Sequence, residues 1–234
     1  MVDFIDGGNR SDHGRGAIAL RRAERGDAAT IAAIHVAGWE AYRGMVPDVA
    51  IEERTLARRT AMWADLLGSD TNAVDGGPLW VALAERPRHG PAGFISLSGP
   101  AVGGHIIEIS ALYVTPDAWR RGIGSALMAA GLAEAARRVG RGGGAGRGGG
   151  VGRGGGAGPG GGAGPDGGAG AGGAGAGGDS GAVALWVLEP NVRARAFYTR
   201  WGFAEDGERR RQGEAWPREL RMRRGLSGAA AAAG

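Results

Sequence analysis

A glycine-rich tract in the second half of the chain constrains the fold more than any other feature. It occupies residues 140–181, and 24 of the 50 glycines lie between 141 and 180. Such a segment has almost no side chain to bury, so it cannot offset the entropy that it would lose on folding. We therefore predict a single domain over 17–224, interrupted by a disordered insertion at 140–181 and flanked by disordered tails at 1–16 and 225–234. About 170 residues remain for the core, which is a single-domain size.

The composition excludes several classes of site. Cysteine is absent, so disulfides and thiolate metal sites are ruled out, and the four histidines lack the spacing of metal ligands. We expect no metal. No apolar run approaches the roughly 18 residues that a membrane span needs, and the N-terminus does not resemble a secretion signal. We therefore expect a cytoplasmic protein with no membrane partner.

The basic residues are all arginines, and the net charge is only +4 despite a pI near 10.5. A modest excess of arginine suits a polyanionic ligand. Repeated Arg-Gly-Gly-Gly between Arg141 and Arg153 resembles the RGG segments that bind RNA, although those interleave aromatic residues. We do not expect a nucleic-acid partner, but RNA binding through this tract stays open as an alternative.

Hydrophobic periodicity predicts a mixed α/β (α+β) domain. Its order is one strand, two helices, three strands, a helix, a strand, a helix and two strands. The second helix is expected to bury Leu56, Met62, Trp63, Leu66 and Leu67. The predicted strands are 18–22, 78–84, 92–98, 105–114, 182–188, 206–212 and 218–223, and the predicted helices are 27–39, 51–67, 122–139 and 191–200.

A glycine turn that opens the third predicted helix is the strongest chemical signal. It reads Arg120-Arg121-Gly122-Ile123-Gly124-Ser125-Ala126 and follows a strand that ends at Val114. A turn of this kind directs several free N–H groups to one point, in the positive field of the helix end, and so binds phosphate. As a bare glycine pattern, it could also be an ordinary helix start. It matches neither the Rossmann pattern nor a P-loop.

Two motifs in order resemble the GNAT superfamily of N-acetyltransferases. Arg121-x-x-Gly124-x-Ala126 looks like the family's acetyl-CoA motif, and Asn191–Phe203 looks like its N-x-x-A-x-x-F-Y-x-x-x-G-F helix. The stretch Trp39–Gly44 also resembles a bacterial subgroup, and the likeness covers about 18–224 apart from the glycine tract. It implies a mostly antiparallel twisted sheet flanked by helices, with strands splayed at a cleft for acetyl-CoA. Acetyl-CoA would be the co-substrate, and a primary amine would be the acceptor.

The resemblance also implies which residues bind acetyl-CoA. The strand residues would pair through their backbone with the pantetheine arm and polarise the thioester carbonyl, while their side chains are ordinary core. Asn191 would contact the arm, or it would only cap its helix. The expected acetyl-CoA contacts are Leu112, Tyr113, Val114, Arg120, Arg121, Gly122, Ile123, Gly124, Ser125, Ala126 and Asn191.

Two catalytic candidates follow from the same resemblance. Tyr198 would be the general acid that protonates the departing thiolate; alternatively, it only packs its helix on the sheet. Glu108 would be the base for the amine, acting through water, but an unperturbed carboxylate is too weak a base unless burial raises its pKa. Glu108 could equally be a solvated residue of the strand. Glu40 and Glu189 are weaker candidates, and some family members use no dedicated base.

The acceptor is expected to meet the segment between the first two helices. The resemblance assigns Trp39, Tyr42 and Arg43 to this wall, although the two aromatic residues could be core and Arg43 could cap its helix. A non-catalytic acyl-CoA sensor remains an alternative function. The sequence leaves open the identity of the acceptor and whether the protein forms a homodimer.

Overall fold

The computed structural model describes residues 18–68, 79–86, 88–99, 106–142 and 181–226. The predicted N-terminal tail, most of the glycine tract and nearly all of the C-terminal tail lie outside these residues. The elements are β1 (Ala19–Arg22), α1 (Ala28–Trp39), α2 (Asp48–Glu52), α3 (Leu56–Gly68), β2 (Leu79–Arg86), β3 (Gly90–Ser98), β4 (Ile106–Val114), α4 (Ile123–Gly142), β5 (Ala182–Leu188), α5 (Val192–Arg200), β6 (Ala204–Arg210) and β7 (Glu219–Gly225).

The order of elements is the predicted one, with two differences. The predicted helix 51–67 is two helices, α2 and α3, that are separated at 53–55. The helix predicted over 122–139 continues to Gly142, so the first residues of the predicted insertion are helical. At the other end of the tract, Gly181 is buried and its carbonyl accepts from Leu226 N at 2.8 Å.

Seven strands form one sheet in the order β1-β2-β3-β4-β5-β7-β6. All neighbouring pairs are antiparallel except β4 and β5, which are parallel. The register between β4 and β5 covers only three residue pairs and ends at Glu108 and Ala184. Beyond that point the two central strands are no longer paired, which confirms the predicted splay and opens a gap in the middle of the sheet.

A bulge in β4 changes which side chains face which side of the sheet. The pairing with β3 steps from Leu97–Ile109 to Ser96–Ala111, so Ser110 is an extra residue on β4. Before the bulge, Ile107 and Ile109 pack in the core cluster that includes α4. After the bulge, Ala111 and Tyr113 pack in the opposite cluster, beneath α1 and α3.

The buried face predicted for the second helix is wrong for two of its five residues, Leu56 and Leu66. Trp63 is buried, but Leu56 is 52% exposed and Leu66 is 39% exposed, and Met62 and Leu67 are only partly covered. α3 packs on α1 through Trp63, whose Nε1 donates to His35 Nδ1 at 3.1 Å. α3 therefore packs through the part of its apolar stripe around Trp63, whereas Leu56 at its start and Leu66 near its end stay exposed.

Candidate functional site

The turn before α4 has the backbone shape that the glycines predict. Gly122 adopts a φ of +86°, a conformation that L side chains rarely take, and Arg120 is also left-handed, with a φ of +61°. The first helical hydrogen bond runs from Ala126 N to Gly122 O at 2.9 Å. The amides of residues 123–125 precede that bond, so helix geometry leaves them available to a ligand.

This turn opens onto a cleft of about 460 Å³. One wall comes from the start of α4 and from α5, another from the end of β4, and a third from the end of α1 and the 3-10 turn Glu40–Tyr42. Because α4 and α1 lie on opposite faces of the sheet, the cleft passes through the gap between β4 and β5. Its lining residues are Gly38, Ala41, Tyr42, Leu112, Tyr113, Val114, Ala118, Trp119, Arg120, Gly122, Gly124, Ser125, Asn191, Arg193, Ala194, Phe197, Tyr198 and Arg200.

The charge of the lining favours an anionic ligand. Three of the lining residues are arginines, Arg120, Arg193 and Arg200, and none of the lining residues is an aspartate or a glutamate. Arg193 and Arg200 are seven positions apart and therefore share one face of α5. The helix start adds the partial positive charge of its free amides. A ligand that carries several phosphates fits this combination of charges.

Gly124 keeps the cleft open beside the turn. A Cβ at this position would lie 3.7 Å from Phe197 Cζ and 3.8 Å from Val114 Cγ2, which are ordinary contact distances. The surrounding protein would therefore accept a methyl group without strain, but that group would occupy lining space next to the helix amides. Glycine at this position matches a need for close approach by a ligand rather than a need of the fold.

Tyr198 lies inside the cleft, on the inner side of α5. Burial raises the pKa of its phenol above the ordinary value, and the nearby phenol of Tyr42 raises it further. The Tyr198 ring packs edge-on against Phe197 and Phe203, at centroid distances of 5.5 and 6.1 Å. The same side chain therefore packs against the core and lines the cleft, so the packing role does not exclude a chemical one.

Asn191 caps its helix and also lines the cleft. It is buried at the end of β5 and lines the cleft. Its Oδ1 accepts from Ala194 N at 3.1 Å, which is the N-cap bond of α5. The capping bond fixes the orientation of the side-chain amide, so that Nδ2 is the atom that would meet a ligand.

Glu108 lies at the closed end of the gap. It belongs to the last residue pair between β4 and β5, is half-buried, and is not among the lining residues of the cleft. Burial raises the pKa of its carboxyl, and the charge of Arg210 partly opposes this increase. Glu108 is therefore partly shielded from solvent, but the structure does not bring its side chain to the cleft.

The predicted acceptor wall is only partly assembled at the cleft. Tyr42 lines it, whereas Trp39 is 1% exposed and packs behind Tyr42 at a ring-centroid distance of 5.0 Å. The guanidinium of Arg54 covers the Trp39 ring at 3.6 Å. Arg43 points away, to Glu40 at 2.9 Å and Asp48 at 3.6 Å, and does not line the cleft.

The acetyl-CoA contacts predicted from the motifs are mostly brought together. Leu112, Tyr113 and Val114 lie on one wall, and Arg120, Gly122, Gly124 and Ser125 lie on another. Three predicted residues do not line the cleft. Ile123 is buried in the core beneath α4, Arg121 is exposed, and Ala126 is half-buried behind the turn. Of these three, Ile123 can take part only through its main-chain amide, and the amide of Ala126 already bonds to Gly122 O.

Sequence reasoning did not identify several lining residues. Arg193, Phe197 and Arg200 share a face of α5, and this helical spacing was a usable signal. Trp119 immediately precedes the turn, and its Nε1 donates to Val114 O at 2.8 Å, which ties the turn to β4. Gly38 and Ala41 gave no signal, because small residues in a helix are common in any core.

Two classes of site have no counterpart in the described residues. Within the ranges that the structure covers, no group of three or more His, Asp or Glu side chains could hold a metal ion. None of the helices that can be described is both long enough and apolar enough to cross a bilayer.

Comparison with known proteins agrees with this geometry. The model of the acetyltransferase (GNAT) family matches residues 39–143, a stretch that includes β4 and the turn. No curated protein matches the sequence significantly. The family match covers the glycine turn but not α5, which resembles the family only through its motif and position.

Solved structures share the fold at low sequence identity. The PaiA N-acetyltransferase of Thermoplasma acidophilum, solved with coenzyme A, superposes with a TM-score of 0.59 at 15% identity, over 89% of this chain and 99% of that one. YncA of Salmonella typhimurium, solved with acetyl-CoA, gives 0.52 at 16% identity, over 92% and 97% of the two chains. Residues 39–143 therefore match the GNAT acetyltransferase family, and the split sheet and the turn at the head of α4 agree with that match.

Proposed function

We propose that this protein transfers the acetyl group of acetyl-CoA to a primary amine by direct attack in a ternary complex. The observation that carries the proposal is a single cleft through the sheet, with the phosphate turn on one face and Tyr42 on the other. A donor that enters from the α4 side and an acceptor that enters from the α1 side would meet in the gap between β4 and β5.

The phosphates would be held mainly by main-chain amides. The amides of residues 123–125 point out of the helix start, and Gly124 leaves room for close approach. Arg120 adds a positive charge on the same side of the cleft. This arrangement supports binding of the pyrophosphate at the turn, which directs the pantetheine arm into the gap.

The thioester would lie along the free edge of β4. Because the register with β5 ends at Glu108, the β4 backbone beyond the bulge has no partner among the described strands on that side. An extended amide-containing arm can pair with such an edge. A main-chain N–H between Leu112 and Val114 that donates to the thioester carbonyl would stabilise the oxyanion that forms when the amine attacks.

Tyr198 is the proposed general acid. The amine nitrogen attacks the carbonyl carbon, the tetrahedral intermediate collapses, and the carbon–sulfur bond breaks to leave a thiolate. The Tyr198 phenol donates its proton to that sulfur, and the proton released by the amine restores the phenol through solvent. A phenol is protonated at neutral pH even with its ordinary pKa, and burial raises the pKa of Tyr198 further, so this group can serve as an acid and not as a base.

Glu108 is proposed as the group that accepts the amine's proton through water. Burial raises the pKa of its carboxyl toward that of a useful base. Because Glu108 lies at the closed end of the gap and does not line the cleft, water would have to carry the proton from the amine to its carboxylate. A mechanism without a dedicated base is the alternative, in which the acceptor loses its proton to solvent before it binds.

The choice of acceptor can be narrowed by experiment. Two structures that share this fold are a ribosomal-protein-S18-alanine N-acetyltransferase from Escherichia coli, at a TM-score of 0.50, and a spermidine/spermine N-acetyltransferase from Vibrio cholerae, at 0.52. A panel of polyamines, amino acids, aminoglycosides and peptides with a free N-terminus therefore samples the chemistry that this scaffold supports. Fold alone does not decide among these amines.

Release of free thiol from acetyl-CoA tests the proposal. We expect release to accelerate with at least one amine of the panel and an acetylated product of matching mass to appear. Tight binding of acetyl-CoA with no amine-dependent thiol release across the panel would favour the acyl-CoA sensor instead. Failure to bind acetyl-CoA at all would exclude both.

A further inference from the structure

A guanidinium that stacks on an indole bridges two walls of the cleft at its mouth. Arg193 Cζ lies 3.7 Å from the centre of the Trp119 ring. Trp119 precedes the phosphate turn, and its bond to Val114 O fixes the ring against the end of β4. Arg193 belongs to the first turn of α5 and is exposed. The pair therefore joins α5 to the loop that leads into the turn.

The position of the Arg193–Trp119 pair indicates which part of a bound CoA would contact it. Under the proposed function, the pyrophosphate occupies the turn amides and the pantetheine arm fills the gap. The nucleotide must then leave the cleft on the outer side, away from Tyr42. Trp119 adjoins the turn and Arg193 is exposed, and both line the cleft, so a nucleotide that leaves the turn toward solvent would pass them. CoA carries a further, dianionic phosphate on the 3′ oxygen of its ribose. The absence of acidic groups among the lining residues lets a phosphate approach Arg193 without repulsion.

Stacking leaves Arg193 able to bind a phosphate. A guanidinium stacks through its face, whereas its N–H donors lie in the plane of the group and point outward. A phosphate can therefore accept two parallel hydrogen bonds from the edge of Arg193 while Trp119 still supports the face. The stack reduces the freedom that a long side chain would otherwise lose on binding.

We propose that Arg193, held in place by Trp119, binds the 3′-phosphate of the CoA nucleotide and so distinguishes CoA from dephospho-CoA. The inference rests on the proposed function, because it places the remainder of the ligand at the turn and in the gap. It adds a recognition element on α5 that is separate from the main-chain phosphate site on α4.

Calorimetric titration with CoA and dephospho-CoA, which differ only in the 3′-phosphate, tests this assignment. For the unchanged protein we expect dephospho-CoA to bind about tenfold more weakly. Arg193→Ala should reduce the ratio of the two affinities to about twofold or less, because it lowers the affinity for CoA alone. Arg193→Lys keeps the charge but loses the fork, and should give an intermediate ratio. Arg58→Ala, which removes one exposed cation from α3, is the charge-matched control and should keep the full ratio.

The outcomes separate this inference from the proposed function. Equal affinities for CoA and dephospho-CoA in the unchanged protein would overturn the role of Arg193 and leave acetyl transfer intact. That role is equally overturned if Arg193→Ala weakens both ligands to the same extent, because the lost contact would then be to a phosphate that they share. If neither ligand binds the unchanged protein, the proposed function falls, and this inference falls with it.

Discussion

The two main walls of the cleft are built in different ways. The α4–α5 wall presents main-chain amides, glycines and the edge of a helix to the ligand. The α1 wall presents an aromatic side chain, Tyr42, which is supported from behind by Trp39 and Arg54. A wall of backbone binds through local geometry that a short motif can encode, whereas a wall of stacked side chains depends on tertiary packing.

The α1 wall extends well beyond the cleft. Arg54 lies 3.6 Å from the Trp39 ring and 5.6 Å from the ring of Trp216, which belongs to the loop between β6 and β7. Arg54 also donates to the carbonyl of Ala50 in α2. Tyr42 is therefore the last member of a column of rings and a guanidinium, and a change anywhere in this column can move it. The turn amides of the α4–α5 wall are instead positioned by the local backbone of the helix start.

The largest expected effect contrasts one tyrosine from each wall. Tyr198→Phe removes the proposed acid and should lower kcat by about 100-fold or more, while the affinity for acetyl-CoA changes little. Tyr42→Phe is the matched control on the opposite wall, since it also loses one hydroxyl, and its kcat should change far less. Steady-state thiol release and calorimetry measure both quantities. Equal turnover of Tyr198→Phe and the unchanged protein would remove Tyr198 from the mechanism.

The next effect concerns the packing beneath the α1 wall. A Cβ at Gly38 would lie 2.5 Å from Tyr113 Cδ1, so the ring or the helix must move. The steric clash in Gly38→Ala should cost about 1–3 kcal/mol. Alanine gains only about 1 kcal/mol over glycine in a helix, so the unfolding free energy should fall. Urea unfolding measures this difference. Gly140→Ala, where nothing lies within 4 Å, is the control and should be neutral or slightly stabilising.

A smaller effect is expected for the equivalent change on the α4 wall, and it should appear in binding. Gly124→Ala meets only ordinary contacts within the protein, so the unfolding free energy should stay the same or rise by at most about 1 kcal/mol. The added methyl group should nevertheless lower the affinity for acetyl-CoA by about tenfold, since it occupies space beside the turn amides. Unchanged affinity would place the phosphates elsewhere and contradict the claim that the α4–α5 wall binds them through its main-chain amides.

The smallest expected effect is on stability, and it concerns Glu108, which lies between the two walls. Its folded-state pKa is raised by burial, so the folded protein binds a proton that the unfolded chain has already lost. Stability contributed by this proton is present at low pH and is lost as pH rises from the usual glutamate pKa through the raised one. Glu108→Gln should therefore be more stable than the unchanged protein at neutral pH, and this advantage should disappear in acid. Thermal unfolding from pH 4 to pH 8 measures the trend.

The same variant tests the catalytic role of Glu108. If the carboxylate accepts the amine's proton, Glu108→Gln should lower kcat/KM and remove the rise in activity that accompanies ionisation of Glu108. A pH profile identical to that of the unchanged protein would assign Glu108 a structural role only.

The parts of the fold that local patterns determine were predictable. β5 has the predicted bounds, because seven consecutive apolar residues leave few alternatives for a buried central strand. Gly202 ends α5 with a φ of +79°, as expected of a C′ glycine. The turn at Gly122 likewise follows from residue type alone, since its backbone conformation favours glycine.

Other features depended on tertiary contacts that no local pattern records. The break between α2 and α3 and the exposure of Leu56 depend on how these helices pack on the domain, which the periodicity of the sequence does not record. Trp39 is core because Arg54 and Tyr42 sandwich it, and a bulge at Ser110 sets which β4 residues face α1. Arg43 pairs with Glu40 and Asp48, which a motif that names only residue types cannot show.

A crystal structure of the protein with acetyl-CoA tests the central claim most directly. We predict that the pyrophosphate accepts hydrogen bonds from the amides of residues 123–125, that the pantetheine arm pairs with β4 beyond Ser110, and that the sulfur lies within hydrogen-bond distance of the Tyr198 hydroxyl. A ligand bound outside the gap between β4 and β5, with the turn amides facing only water, would contradict the account.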